Sequence, residues 1–456
     1  MSAQTTTSLS RDLLSAYFVC TARFAAWLII SAIVYRRLGV GAFALLALVR
    51  SSLVILNYST LGLAPAIIRY VAAARNTGAP AAAADPQALV RVCSSALALA
   101  ACCGLMGLAL CVVYALGFDR LFRLPPGMDM NDVFGPALLI GIGTVLRVVG
   151  DAPGASLQAL GRLPLDNCLQ ASADLLWLAL TPAYLAMQSS LHAVAAAYAV
   201  GAAASAFARW IAAGLVTGVL VPRWRAIDRP TVVALLSFGG LVVLAQAADY
   251  LYAPIAHILI NRLVSAEAVA VYSPAIQIDA GLLLLSGGLA AVLLPRSAMA
   301  HAAGDLAALR RYYLRGTLAA TALLAIGAAV VWLAADAIFR IWLKDPMHAT
   351  QAILPLVLIH TVIGGASSVG RSVLLASGHV RPFTISVLIG GLANAALGYA
   401  LARFAGLGLH GIVLGTIIAV TARCAIWMPW YVLGTLGQPV AHVAENARLP
   451  LPGPPI

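Results

Sequence analysis

The sequence predicts an all-α polytopic membrane protein of about 12 transmembrane helices, arranged as two pseudo-symmetric six-helix lobes. Of its 456 residues, 62% are hydrophobic and only 10% are charged, and mean hydropathy is +0.95. This composition lies far outside the range of soluble domains. Twelve apolar stretches are long enough to cross a bilayer, and short motifs recur in the same order in the two halves of the chain.

The apolar stretches are predicted to be helices because a backbone in lipid must satisfy its own hydrogen bonds. No alternating ten-residue pattern of barrel strands is visible in the sequence. The fourth and tenth stretches are short and rich in glycine. The predicted spans cover residues 13–35, 40–66, 89–117, 133–150, 165–187, 191–221, 231–256, 267–295, 314–339, 351–369, 383–404 and 408–434.

Four motifs of the first half recur in the second half at separations of 214 to 225 residues. Each is weak in so alanine-rich a chain, but their shared order predicts two parallel lobes. The N-terminal lobe is predicted at 1–221 and the C-terminal lobe at 231–436, with a basic linker at 222–230 and a tail at 437–456. The motif pairs are Arg37-Leu38 with Arg262-Leu263, Ala159-Leu160-Gly161 with Ala376-Ser377-Gly378, Leu191-His192 with Leu409-His410, and Ala208-Arg209 with Ala422-Arg423.

The basic residues between spans predict the orientation of the chain. With the N-terminus in the cytoplasm, 15 arginines lie in cytoplasmic segments and 8 arginines or lysines lie in the opposite loops. Both termini, the linker and the tail are therefore expected to be cytoplasmic. The net charge of +12 is accounted for by this topology and does not predict nucleic-acid binding. The first apolar run contains Arg23 and lacks a small-residue cleavage site, so it is predicted to be a span and not a signal peptide.

In the first, second, seventh and eighth predicted spans, the charged residues nearest the middle are Arg23, Arg50, Asp249 and Asp279. An arginine at the bilayer centre costs roughly 3 kcal/mol, so these side chains are expected to face the interior of the helix bundle. The planar guanidinium fork suits phosphate oxygens, which makes the two arginines candidate anion ligands. The two aspartates are candidates for coupling to protons or Na⁺. The alternative is that the arginines and aspartates pair with each other for structural reasons.

Other polar residues in the spans are weaker candidates. Asn57 and Asp174 are predicted either to contact sugar or to hydrogen-bond between helices, and the second is favoured for side chains of this kind. Arg147 and Asp151 stand four residues apart and are predicted to pair on one helix face.

No motif predicts catalysis, a metal or a cofactor. The sequence lacks H-E-x-x-H and G-x-S-x-G. Its one lysine, Lys344, precedes Asp345, which excludes an ATP-binding P-loop. The seven cysteines lie in or beside apolar runs without C-x-x-C spacing, as expected of small core residues.

The stretch 36–75 contains Arg37-Leu38-Gly39 followed by Phe43, and it closes with Leu61-Gly62-Leu63 and Ala66-Ile67-Ile68-Arg69-Tyr70. It resembles the second transmembrane helix of the bacterial polysaccharide transporter family. These are the Wzx-type lipid-linked oligosaccharide flippases of the multidrug/oligosaccharidyl-lipid/polysaccharide (MOP) exporter superfamily. The stretch 157–162, with Asn167, resembles the family's fourth-to-fifth connector.

The resemblance implies two six-helix lobes around a central cavity lined by spans one, two, seven and eight. Arg23, Arg50 and Asn57 would then contact the substrate, and Asp249 and Asp279 would couple an ion. The implied substrate is a polyprenyl-diphosphate-linked oligosaccharide, flipped across the bacterial inner membrane for O-antigen, capsule or exopolysaccharide synthesis. The implied partners are membrane lipids, a proton or Na⁺, and the polymerase and glycosyltransferases of the pathway.

Three alternatives stay open. A multidrug or cation exporter of the same superfamily would favour carboxylates or an aromatic cage over arginines in the N-terminal lobe. A lipid II flippase handles the same diphosphate chemistry. A polytopic glycosyltransferase, polymerase or ligase is less consistent with the sequence, because the first external loop, residues 35–39, holds no acidic residue and no long external loop is visible.

Overall fold

The computed structural model describes residues 3–56, 63–75, 86–237 and 250–436. Nearly all of these residues are helical and none of them forms a strand. The main helices are α1 (Ala3–Leu53), α2 (Leu63–Arg75), α3 (Pro86–Leu116), α4 (Phe118–Leu121), α5 (Met130–Ala159), α6 (Leu163–Met187), α7 (Leu191–Thr217), α8 (Ala253–Leu263), α9 (Ala266–Ala302), α10 (Leu306–Leu333), α11 (Ala335–Trp342), α12 (His348–Ala366), α13 (Ser368–Ala376), α14 (Val380–Arg403), α15 (Gly408–Val420) and α16 (Met428–Leu436).

Nine stretches in the described part of the chain are long and apolar enough to cross a membrane, which confirms the predicted all-α, multi-pass fold. One of them, Leu14–Leu56, contains all but the first residue of the predicted first span and most of the second. The predicted fifth span is α6, which carries Asp166 and Asp174. Half of the predicted seventh span, residues 238–249, lies outside the described residues.

Helix α1 folds back on itself at Gly39, whose φ is 85° and ψ is 179°. In a straight helix Trp27 and Arg50 would lie about 34 Å apart at 1.5 Å per residue. Instead the guanidinium carbon of Arg50 lies 4.0 Å from the centre of the Trp27 ring, and the rings of Tyr35 and Phe43 pack edge to face at 5.7 Å. Both pairs are nearly symmetric about Gly39, so residues 3–38 and 40–53 are two antiparallel arms, as two separate spans require.

Replacing Gly39 with alanine is expected to destabilise this hairpin by about 1–3 kcal/mol, because its backbone conformation is essentially restricted to glycine. No atom lies within 4 Å of a Cβ at this position, so the cost comes from the backbone alone. Gly287→Ala is the matched control, since Gly287 is exposed inside helix α9 and a Cβ there also meets nothing. Thermal melting of the purified protein should show a lower Tm for Gly39→Ala only. Equal melting of the two variants would contradict the expectation.

Two glycines of the predicted repeat end their helices in the same way. Gly161 has a φ of +76° and Gly378 a φ of +79°. Each is followed by a residue whose N–H bonds the carbonyl five positions back, Arg162 to Leu157 at 2.9 Å and His379 to Leu374 at 2.9 Å. This is the Schellman pattern, which needs a left-handed residue after the helix. The repeat therefore recurs in local structure as well as in sequence.

Contacts divide the chain into two compact units. Unit 1 comprises residues 1–273 and 340–345, and unit 2 comprises residues 274–339 and 346–456. The change from one unit to the other falls inside α9. The lobes proposed from the sequence, 1–221 and 231–436, place the division instead at the linker 222–230 and stay a prediction.

Residues Arg340–Asp345, here called the strap, belong to unit 1 although the chain on both sides belongs to unit 2. The Trp342 indole N–H donates to the Leu28 carbonyl at 2.8 Å. The Tyr35 hydroxyl donates to the Asp345 carboxylate at 2.7 Å. Trp342 is largely buried, so the strap is anchored to the first arm of α1 by both burial and hydrogen bonds.

Small residues let α5, α6 and α7 of unit 1 pack closely against one another. A Cβ at Gly201 of α7 would lie 2.6 Å from the Ala173 carbonyl of α6. A Cβ at Gly150 of α5 would lie 3.3 Å from the Cα of Ala206 of α7. Such contacts between backbones are the usual basis of helix packing in lipid, and they fix the positions of the polar side chains between α5, α6 and α7.

Candidate functional site

A cavity of about 410 Å³ lies within unit 1 between α1, α2, α5, α6 and α7. Although these helices are strongly apolar, four arginines line it. They are Arg23 and Arg50 on the two arms of α1, Arg147 on α5 and Arg209 on α7. Arg23 and Arg50 therefore line the same cavity within unit 1, while the central cavity between spans one, two, seven and eight stays a prediction.

Arg50 is held by aromatic rings. Its guanidinium carbon lies 4.0 Å from the ring centre of Trp27 and 4.7 Å from that of Trp177, with Tyr198 at 5.8 Å. The two indole rings are nearly parallel, at 18°. These contacts stabilise the cation through the ring quadrupoles, which in a protein interior partly replaces water.

The hydrogen bonds of Arg50 are not satisfied. Its Nη1 is buried and has no partner, and no carboxylate of the described residues forms an ion pair with it. Leaving a buried donor unpaired is costly, more so when it is charged. Arg50 is thus a cation with unused N–H donors at a cavity wall.

Arg23 and Arg147 share one carboxylate, that of Asp174 on α6. Arg147 donates to both of its oxygens in a bidentate pair, from Nη2 at 2.7 Å and from Nη1 at 3.2 Å. Arg23 reaches the same carboxylate with Nε at 3.5 Å and donates from Nη2 to the Gln170 side-chain oxygen at 3.1 Å. Of the two uses predicted for Asp174, the structure shows the one between helices.

The predicted pairing of Arg147 with Asp151 on one face of α5 is wrong. Arg147 pairs with Asp174 across the α5–α6 interface, and Asp151 accepts from Arg209 of α7 at 3.0 Å. A carboxylate on a neighbouring helix can meet both terminal nitrogens of the guanidinium, which stabilises the pair more than a single contact along one helix.

Arg209 is the centre of a buried network. Its Nε donates to Asp166 at 2.7 Å, and Gln158 donates to the other oxygen of Asp166 at 2.8 Å. Both charged groups are almost fully buried. Gly154 on α5 leaves room for the guanidinium, since a Cβ there would overlap Arg209. This part of the cavity wall is therefore fixed by packing as well as by charge.

Of the predicted ion-coupling residues Asp249 and Asp279 and the predicted substrate-binding residue Asn57, only Asp279 lies in the part of the chain that the structure describes. Asp279 is buried on α9 and accepts a hydrogen bond from the Thr361 hydroxyl of α12 at 2.6 Å, with Nδ1 of His360 at 3.9 Å from the same oxygen. Asp249 and Asn57 lie outside the described residues. Within the described part of the chain, no group of three or more His, Cys, Asp or Glu side chains comes together to hold a metal.

Several residues of the cavity were missed by sequence reasoning. Arg147 and Arg209 are charges inside predicted spans, which is the signal that identified Arg50. Applied to every span, that signal would have identified them as well. Trp27, Trp177 and Gln170 carry no such signal. Gln170 lines the cavity and the two indoles contact Arg50. These positions depend on the rotation of α1 and α6 about their axes.

A family model for polysaccharide biosynthesis proteins matches residues 9–301, and the MatE model matches residues 242–400. No curated protein matches the chain.

Solved transporters show the same fold. A multidrug resistance MATE family transporter of the MOP superfamily in an inward-facing conformation is 16% identical, with a TM-score of 0.74 over 94% of this chain and 96% of the other. An outward-facing one is 17% identical, with a TM-score of 0.57 over 96% of each chain. A MOP superfamily transporter from Pyrococcus furiosus, whose binding pocket is described as of reverse polarity, is 16% identical, with a TM-score of 0.65 over 94% and 96%. The chain thus shares the fold of these MOP superfamily transporters. Since the first family model covers more than half of the chain, this protein belongs to the polysaccharide biosynthesis protein family.

Proposed function

We propose that the protein flips a polyprenyl-diphosphate-linked oligosaccharide across the bacterial inner membrane, for O-antigen, capsule or exopolysaccharide synthesis. Transport would proceed by alternating access, with both termini in the cytoplasm. The observation that carries the proposal is Arg50, a cation with unsatisfied donors at the wall of an interior cavity.

The charges of the cavity favour an anionic substrate. The four arginines face the carboxylates of Asp151, Asp166 and Asp174, which pair with all of them except Arg50. One positive charge is therefore left over in the described part of the site. A diphosphate supplies negative charge and planar sets of oxygen acceptors that match the guanidinium fork.

Export of organic cations is the second candidate, because the structural neighbours include multidrug transporters. Aromatic faces such as those of Trp27 and Trp177 are suited to cations. Here both rings already contact the guanidinium of Arg50, whose charge would repel a second cation. Lipid II carries the same diphosphate and differs only in its sugar-peptide head group.

Proteoliposomes distinguish these candidates. Purified protein would be reconstituted with a lipid-linked oligosaccharide, with lipid II or with a fluorescent organic cation. We expect the oligosaccharide to become accessible to an added glycosidase at a rate that depends on the protein. Movement of the cation without either lipid would overturn the proposal, and faster flipping of lipid II would reassign the substrate.

We also propose that Asp279, with Asp249, couples transport to a proton or Na⁺ gradient. Asp279 is buried in a candidate membrane span beside a titratable imidazole, and acidic groups inside membrane spans commonly serve ion coupling. Binding of the ion and of the substrate would then be linked by the same free energy in both directions.

Asp279→Asn is expected to retain diphosphate binding and to lose the dependence of flipping on an imposed gradient, because the amide cannot gain or lose a proton. Glu267→Gln is the matched control, since Glu267 is an exposed acid at the start of the same helix. Flipping rates with the pH or Na⁺ gradient imposed and collapsed provide the measurement. If Asp279→Asn responds to the gradient as the parent does, coupling lies elsewhere.

A further inference from the structure

Arg23 and Arg147 compete for Asp174 on unequal terms. Arg147 uses two nitrogens at 2.7 and 3.2 Å, whereas Arg23 uses one nitrogen at 3.5 Å. The Arg23 side chain is 48% exposed and that of Arg147 is 21% exposed. Arg23 is therefore the weakly held and accessible member of the pair.

The consequence of releasing each arginine also differs. When Arg23 leaves, Asp174 keeps its fork with Arg147, so no buried charge is left without a partner. When Arg147 leaves, the almost fully buried Asp174 keeps only the long contact with Arg23. Leaving a buried charge without compensation is strongly unfavourable, so Arg147 stays in place and Arg23 is the arginine that can turn towards a ligand.

Gln170 supplies the shorter of the two contacts of Arg23, at 3.1 Å. It precedes Asp174 by four residues on α6, and residues at this spacing lie on one helix face. The contact joins a charged donor to a neutral oxygen, which is weaker than the bond to a carboxylate. At this position glutamate would bind Arg23 firmly, whereas an apolar side chain would not bind it.

We propose that Gln170 is a positioning residue that sets how readily Arg23 passes from Asp174 to the phosphate oxygens of the substrate. The proposal rests on the diphosphate binding proposed above. In the unoccupied cavity Gln170 and Asp174 hold Arg23 in place along α6. On binding, Arg23 exchanges these two contacts for phosphate, and Asp174 stays neutralised by Arg147.

Two substitutions at this position act in opposite directions. Gln170→Glu adds a carboxylate beside Arg23 and retains it, so affinity for a diphosphate should fall by about tenfold, which corresponds to one charge-assisted hydrogen bond. Gln170→Met has a similar length and no acceptor. It should raise the affinity about two- to threefold, because Arg23 then loses less on binding.

The probe is farnesyl diphosphate, with farnesol as the uncharged reference, titrated into the purified full-length protein in detergent. The readouts are isothermal titration calorimetry and intrinsic tryptophan fluorescence, to which Trp27 and Trp177 contribute through their contacts with Arg50. Farnesol binding should be the same in the parent and both variants. Melting curves establish that each variant is folded.

The outcomes separate this proposal from the proposed function. If the parent binds farnesyl diphosphate no better than farnesol, diphosphate recognition itself fails. If the parent discriminates but both variants bind as the parent does, or both lose affinity equally, the role of Gln170 is overturned while the proposed function stands. If Gln170→Glu does not fold, Gln170→Met still decides, since a loss of affinity in that variant overturns the proposal.

Discussion

Arg50→Ala should abolish surface polysaccharide in a strain that depends on this protein for export. The substitution removes the one cavity arginine that no carboxylate of the described residues neutralises. Each hydrogen bond to a charged group is worth about 1.5–3 kcal/mol, so loss of one such bond to phosphate lowers binding roughly 10- to 100-fold. The amount of protein in the membrane should not change, because Arg50 has no ion pair within the described residues to lose. Surface polysaccharide and membrane abundance are measured together.

Arg50→Lys should restore export only in part. An ammonium can still contact Trp27 and Trp177, but it lacks the planar fork that binds two oxygens at once. Arg225→Ala is the matched control, because Arg225 is an exposed arginine outside this cavity, and it should export as the parent does. Full export by Arg50→Ala would mean that Arg50 serves the structure alone.

Arg209→Met should cause the largest loss of stability. Asp166 has no exposed side-chain surface, and removal of Arg209 leaves it as a buried charge with Gln158 as its remaining side-chain partner. Breaking a buried pair in this way costs about 3–5 kcal/mol. The cost of leaving Asp151 without Arg209 is smaller, since the Asp151 side chain is 44% exposed to solvent. A sharp fall in Tm and in membrane abundance is the expected measurement.

The double variant Arg209→Met/Asp166→Asn tests the reason for that loss. It removes both charges and keeps an oxygen for the hydrogen bond from Gln158, so much of the lost stability should return. If the double variant is as unstable as Arg209→Met, the loss comes from packing around Gly154 and not from the unpaired carboxylate. A single variant that melts with the parent would contradict the network altogether.

The sequence could predict that Arg23 and Arg50 face the interior of the helix bundle, because a charge inside an apolar span has no favourable alternative. It could not predict what surrounds them. The contact of Arg50 with Trp27 and Trp177 depends on helix rotation, which a uniformly apolar helix does not encode in its pattern. The pairing of Arg147 with Asp151 failed for a related reason, since the rule for residues four apart considers one helix and ignores Asp174 on the next.

The repeat was predictable where local chemistry is strict. Gly161 and Gly378 both close their helices with a left-handed residue, which few residue types tolerate, and so the motif is visible in the sequence. The strap was not predictable. Its sequence predicts a connection between two spans and contains nothing that assigns it to the first arm of α1.

The strap determines when, during synthesis of the chain, unit 1 can be completed. The hydrogen bond from Trp342 to Leu28 joins residues 314 apart, so unit 1 is still incomplete when residue 273 leaves the ribosome. Its last piece arrives only with residues 340–345, after the rest of α9 and all of α10 have been synthesised. Domains of large proteins generally fold as they emerge from the ribosome. Here the first arm of α1 waits in the membrane for its partner, and a chain released before residue 345 cannot finish even its N-terminal unit.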